Sequence, residues 1–426
     1  MHSFSFFATL ISTLLALVAV IYAAPTPKYS YSARHINHPA ARCGLRLIDG
    51  DVRPNSYVVK LASTTNRTQH VSWAHQLVAN STATKATSAN VFANAFHGYV
   101  AELDDDKVME ILTSGEAEWV EEDAILHTTA IQTGATWGLQ RISSSTPLPA
   151  DADPLTLSFT YKSNDAAGKG VDVYVIDTGL LATHNQFGGR AKMVFTAPGL
   201  NTTDDNGHGS HVAGTVGGTT VGVAKGANLL GVKVIAADGS GSSSDIISGI
   251  DFAIQAAKAS GRPSVISMSI GGAKSQSIDA AAVAAISAGI HVVAAAGNDS
   301  QDAANDSPAS APGVIAVGSM NIANQVSSFS NFGSTVDIFA PGEDIISCGI
   351  TSNTAAAILS GTSQATPHIS GLVALLLSEA SNITPTQMVG LIKQIGLSGQ
   401  LSSLPSSTTT NLIAQNFVAN TNIPQF

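Results

Sequence analysis

From Lys169 onward the chain alternates short apolar runs with longer stretches of helical spacing. Val171–Ile176, Leu229–Val234, Val265–Ser269, His291–Ala296, Val314–Val317 and Val336–Phe339 are almost continuously apolar, which reads as strands buried on both faces. Between and after them, apolar residues recur at helical spacing at about 208–216, 245–259, 278–288, 363–379 and 385–395. The alternation predicts an α/β domain, a parallel sheet flanked by helices on both faces. In such sheets the working residues collect at the carboxyl ends of strands and the amino ends of helices.

Upstream the pattern differs. Ser56–Leu61, Phe96–Leu103 and Glu118–Glu121 read as strands, and Thr68–Asn80 and Asp104–Thr113 as helices, so residues 56–129 form a small α+β unit. Residues 24–55 are polar and proline-bearing without period and read as a linker. Phe6–Ala23 is almost wholly apolar and Ala23-Ala24 precede Pro25, the pattern of a secretory signal peptide over residues 1–23. The run is nearly long enough to act instead as a signal anchor, but its small-residue exit favours cleavage. The expected product is extracellular and, once cleaved, free of the membrane.

Composition narrows the class. Only 12% of the 426 residues are charged, and a formal net charge of -10 gives no electrostatic reason to expect nucleic acid. With two cysteines, Cys43 and Cys348, a multiply stapled fold is excluded, so a large core or a bound metal must stabilise the exported chain.

Four segments carry candidate chemistry. The first strand ends in Asp177-Thr178-Gly179, a carboxylate in a glycine-containing turn, which also suits a turn-capping Asp. Asn206-Gly207-His208-Gly209-Ser210-His211 opens a helix with two histidines three apart; no carboxylate at matching spacing completes a zinc site. His291–Asn298 ends a buried strand with an amide, a neutral donor suited to a transient oxyanion, within the formal glycosylation sequon Asn298-Asp299-Ser300. Gly361-Thr362-Ser363 precedes a helix that is apolar or small on every face, with Pro367 expected in its first turn. Ser363 at that helix start reads either as a nucleophile or as an ordinary N-cap.

Asp177-Thr178-Gly179, Gly207–Thr215 and Gly361–His368 together resemble the three signature blocks of the subtilisin-like serine proteases, nearest the secreted fungal group typified by proteinase K. The resemblance covers nearly the whole chain: residues 56–129 are similar to the family's inhibitory propeptide, and Trp137–Ile142 to the start of the mature enzyme, giving a catalytic domain over 130–426. It implies a serine endopeptidase made as a zymogen. Asp177, His208 and Ser363 would be its triad, Asn298 its oxyanion donor, and its own propeptide an intramolecular inhibitor. Gly239, Ser240, Gly241, Ser269, Ile270 and Gly271 would be the substrate rails, with Ala296 and Gly297 in the wall of the first pocket. No charge sits in these segments, so broad cleavage of protein or peptide substrates after apolar or aromatic residues is expected.

The resemblance further implies no organic cofactor, a monomer, and a structural calcium ion on Pro312, Val314 and Asp337, although Pro312-Gly313-Val314 also reads as a strand entrance. The chain departs from the family pattern at Ser210, usually Thr, and at Gln364, usually Met. An insertion around Pro149–Tyr161 is expected to be a surface loop. An inactive homologue acting as a binding protein would share the fold but lack a triad member, and none is missing.

Overall fold

The computed structural model describes residues 45–46, 52–79, 90–92, 96–124, 129–164, 167–380 and 382–416. The signal peptide read at 1–23 lies outside them, as does most of the linker read at 24–55. The chain divides into two compact units, one within residues 1–126 and the other within 127–421.

The first unit is a five-stranded sheet with two helices. Its strands are β1 (Leu45–Arg46), β2 (Val52–Leu61), β3 (Asn90–Phe92), β4 (Gly98–Glu102) and β5 (Ala117–Ala124), in the order β1-β5-β2-β4-β3. The first strand and the start of the second fall inside the stretch read as linker; paired as they are with β5, residues 45–46 and 52–55 belong to the sheet. Helices α1 (Arg67–Ala79) and α2 (Asp105–Thr113) contribute Val71, Ala74, Val108 and Ile111 to one core with Val59, Tyr99 and Val120. Asp104 caps α2 by accepting from the Lys107 N–H at 2.9 Å, so the helix starts one residue after the acidic run begins.

The second unit is built on a nine-stranded sheet. Its principal strands are β8 (Asp172–Asp177), β9 (Ala191–Thr196), β10 (Asn228–Lys233), β11 (Ser264–Met268), β13 (His291–Ala295), β15 (Ile315–Met320), β16 (Ile338–Pro341) and β20 (Leu412–Ile413), all parallel, with β19 (Leu397–Ser398) antiparallel at the edge. The order β19-β20-β16-β15-β13-β11-β8-β10-β9 reverses direction around β8, the kind of point where α/β sheets open a crevice at the carboxyl ends of their strands. Successive residues face opposite cores. Val173, Val175 and Val293 pack with α4 (His208–Gly217), α7 (Thr362–Glu379) and α8 (Pro385–Ile395). Tyr174, Ile176, Val292 and Ala294 pack with α5 (Ser243–Ser260) and α6 (Gln276–Ser287). Each such fully buried Val or Ile contributes about 1.5–3 kcal/mol, which is how a chain with one described, unpaired cysteine holds together.

Smaller pairs complete the unit: β6 (Thr129–Ala135) with β7 (Phe159–Asn164), β12 (Gly272–Ala273) with β14 (Asp306–Ser307), and β17 (Ile345–Cys348) with β18 (Ala356–Leu359), all antiparallel. The insertion read as a surface loop at Pro149–Tyr161 is one only in part. Its end is strand β7, and Tyr161 is wholly buried with its hydroxyl on the Val223 carbonyl at 3.0 Å. The short helix α3 (Trp137–Ile142) buries Trp137, Leu139 and Ile142 beside it.

Candidate active site

Asp177 ends β8 fully buried. Its Oδ1 accepts from the Thr178 N–H at 2.7 Å and meets His208 Nδ1 at 2.7 Å, while Oδ2 is buried without a partner among the described residues. His208 opens α4. The backbone of that helix comes so close to the Asp177 turn that a Cβ at Gly209 would collide with the Gly179 carbonyl, so glycine there is a condition of the Asp–His distance.

A residue that the motif reading passed over fixes this junction. Asp204, nearly buried, accepts at Oδ1 from the Thr178 hydroxyl (2.9 Å) and the Gly207 N–H (2.8 Å), and at Oδ2 from the Ser210 N–H (2.9 Å) and hydroxyl (2.6 Å). One carboxylate thus ties the turn carrying Asp177 to the helix carrying His208. Ser210 does the work of the hydroxyl expected there, donating to Asp204 and accepting from the Leu181 N–H at 2.8 Å. Burial opposes charge on His208, but the Asp177 carboxylate, its hydrogen bond and then Asp204 outweigh it and hold the imidazole pKa above its ordinary value.

Ser363 is the second residue of α7. Its hydroxyl donates to the Ser269 carbonyl at 2.7 Å rather than to His208, and the Ser269 hydroxyl donates back to the Ser363 carbonyl at 2.8 Å. That carbonyl is free because the residue four positions on is Pro367, which has no N–H to give it. Pro367 therefore sits in the second turn, not the first as its fixed geometry suggested, and Ser269 satisfies the acceptor it leaves open.

Asn298 follows strand β13 and its glycine. Its Oδ1 accepts from both the Thr362 N–H and the Thr362 hydroxyl at 2.8 Å, while the same hydroxyl accepts from the Gly297 N–H at 3.2 Å. Because the Thr362 N–H can only donate, the amide orientation is fixed and Nδ2 is left as the free end. Neither Asn298 Nδ2 nor the Ser363 N–H has an acceptor among the described residues.

These groups share a cleft of about 670 Å³ with Gly239, Gly241, Ser269, Ile270, Gly271 and Gly297. Two residues expected there do not line it. Ala296 is wholly buried in the core around α7, and Ser240 closes a turn, its carbonyl on the Ala236 N–H at 2.8 Å and its hydroxyl on Asp238 at 2.7 Å. The expectation of an uncharged cleft also changes, because Asp299 and Asp306 line it from outside the segments used to form that expectation. Burial raises the Asp306 carboxyl pKa, a Gln301 hydrogen bond pulls it back, and the negative Asp299 adds to the rise.

The calcium set does not fit. Asp337 Oδ2 accepts from the Ala316 N–H at 2.9 Å and Oδ1 pairs with Lys393 Nζ at 2.6 Å. An ammonium therefore takes the carboxylate oxygen that calcium would need, and a calcium ion on Asp337 would have to displace Lys393. Asp337→Asn is therefore expected to leave any effect of chelation on the melting temperature of the mature enzyme unchanged; loss of that effect in the variant would overturn this reading.

Burial keeps three further titratable side chains near these segments neutral. His211 and His368 meet the Ile345 and Gln364 carbonyls at 2.9 and 3.0 Å, and burial drives both to about 4, so they stay neutral. Burial pushes the Cys348 thiol up to about 12, and Gln364 beside the serine is 2% exposed.

The chain is similar to known proteins along most of its length. Residues 168–404 match the model described as "Subtilase family" and residues 56–129 that of "Peptidase inhibitor I9". Subtilisin-like protease 2 of Pseudogymnoascus destructans is 41% identical over 373 residues, 86% of this chain and 90% of its own. Proteinase R of Parengyodontium album is 44% identical over 77% of this chain and 81% of its own. Among solved structures, a cold adapted subtilisin-like serine proteinase is 40% identical, with a TM-score of 0.60 over 67% of this chain and 99% of its own.

Proposed function

Since the chain belongs to the subtilase family and is a serine endopeptidase with an I9-type inhibitor propeptide, we propose that Asp177, His208 and Ser363 are its triad and Asn298 its oxyanion donor. The single observation that carries this is the 2.7 Å contact between His208 Nδ1 and a buried carboxylate, with Ser363 in the same cleft. Asp177 holds the imidazole with its Nε2 toward the cleft and stabilises the imidazolium that forms. Rotation of Ser363 about χ1 takes its hydroxyl from the Ser269 carbonyl to His208, which removes the proton as Oγ attacks a peptide carbonyl. His208 then returns that proton to the leaving amine. Asn298 Nδ2 and the Ser363 N–H receive the oxyanion. Ser269–Gly271 and Gly239–Gly241 offer backbone to an extended peptide, and Ile235, Ile246 and Ile278 in the cleft suit apolar or aromatic side chains. The enzyme is exported by its apolar leader and acts as a monomer on protein substrates, without nucleic acid.

The pH profile tests the assignment of His208. The base must be neutral, and a raised pKa keeps it protonated to higher pH, so kcat/KM should fall on acidification with a midpoint above 6.5. Asp204→Asn should move that midpoint down, because it removes one of the charges favouring the imidazolium. A midpoint near 4 in the parent would point to a carboxyl group as the base instead.

A further inference from the structure

The mechanism leaves two carboxylates in the cleft unused, Asp299 and Asp306. Strand β14 pairs with β12 through Gly272–Ser307 and Ala273–Asp306, and so closes the space behind Ser269–Gly271. A Cβ built on Gly271 would stand 3.6 Å from the Ser307 carbonyl oxygen and 3.9 Å from that of Ala295. A Cβ built on Gly297 would collide with Asn331 Nδ2 and stand 3.3 Å from Asp306 Oδ1, so Asn331 and Asp306 lie together against Gly297. Gly271, Gly297, Asp306 and Ser307 thus line the same part of the cleft.

Asp306 is 3% exposed. Its Oδ2 accepts from Asn331 Nδ2 at 2.9 Å and from Gln301 Nε2 at 3.1 Å, which fixes the carboxylate in place. Its Oδ1 accepts no hydrogen bond and neither oxygen meets a cation among the described residues. Lys274, the basic residue on the neighbouring β-connection, is committed to Asp279 at 2.9 Å and to the Ser310 hydroxyl at 2.5 Å. At the rim Asp299 is exposed and adds a second negative charge.

A carboxylate fixed by two amides, with its second oxygen open to the cleft, presents a negative charge that a cation can meet. A side chain with an apolar stem and a cationic tip fits both the cleft and that charge. We propose that Asp306 is a specificity residue that selects Lys or Arg immediately before the scissile bond, alongside the apolar residues the cleft admits. A cationic tip gains a charge-assisted hydrogen bond at Asp306 that an uncharged side chain cannot make. The assignment rests on the protease reading above, with Ser363 as nucleophile.

The test compares matched peptide p-nitroanilides that differ only in the residue before the anilide: Leu, Phe, Lys or Arg. The parent is expected to cleave the Lys and Arg substrates with kcat/KM within tenfold of Leu. Asp306→Asn should lower the Lys/Leu and Arg/Leu ratios by roughly tenfold or more, and Asp306→Glu should retain cleavage after the cationic residues. Melting temperatures establish that each variant is folded. If Asp306→Asn does not fold, the parent ratios and the Glu variant decide alone. Lys and Arg substrates left uncut by a parent that cuts Leu, or ratios unchanged in the Asn variant, would overturn the role of Asp306. No hydrolysis of any substrate above a Ser363→Ala background would instead overturn the underlying protease reading.

Discussion

Ser363→Ala should lower kcat by about 10⁶-fold while leaving the fold intact, a scale carried over from subtilisin, which belongs to the same family. The physical reason is that the three groups act in one step. Without Oγ there is no nucleophile for His208 to activate, and the 2.7 Å Asp177–His208 contact then has nothing to act on. The substitution deletes one hydroxyl and its bond to the carbonyl of Ser269, a cleft-lining residue, and removes no apolar packing, so the fold should hold. The reciprocal bond, from the Ser269 hydroxyl to the Ser363 backbone carbonyl, does not involve the deleted Oγ and survives.

The same variant tests self-processing. The propeptide match ends at residue 129, and Thr129 begins a strand paired with Asn164. Of Ile125–Thr129, the segment at this junction, only Thr129 is among the described residues. Purified Ser363→Ala precursor, refolded alone, should keep its full mass while the parent is cut near Thr129. Cutting of the variant at the parent's rate, or peptide hydrolysis within a hundredfold of it, would remove Ser363 from both roles.

Much of the architecture is legible in the sequence because buried parallel strands have to be apolar on both faces. β8, β10, β11 and β13 lie within one residue of the runs that announce them. Their helices are found for the complementary reason, and α8 carries a full capping box between Thr384 and Gln387. What escapes notice are strands whose partners only the fold supplies. β6 and β7 are polar and short of period, and β17 and β18 are four residues each, so nothing local separates them from loops. The site divides in the same way. Asp177, His208, Ser363 and Asn298 sit in recognisable blocks at strand or helix ends, whereas Asp204 and Asp306 are single acidic residues in loop-like sequence. Their roles arise from the groups that come to them: Thr178 and Ser210 to the first, Gln301 and Asn331 to the second. Thr362 stood within a recognised block, but its hold on Asn298 shows only once the two segments meet.

Removing Asn298 should raise the barrier by about 2.7–4 kcal/mol, that is 10²–10³ in kcat, again on the scale of subtilisin's own oxyanion amide. The structure accounts for why one amide can carry so much. Two hydrogen bonds from Thr362 to Oδ1 fix the plane of the side chain before substrate arrives, so Nδ2 needs no reorganisation when charge develops. The effect should therefore appear in kcat, with KM little changed, because the ground-state carbonyl gains less from the donor than the oxyanion does. Asn298→Ala deletes the donor outright. Asn298→Asp keeps the size and the bond from Thr362 but turns an acceptor toward the oxyanion, and should be at least as slow. Thr362→Val tests the positioning itself: it removes the hydroxyl bond to Asn298 and the acceptor for Gly297 while keeping the Thr362 N–H bond. Its loss should be smaller, about tenfold, and again in kcat. A variant set in which KM rises and kcat stays level would make Asn298 a ground-state binding residue and move the oxyanion to other donors.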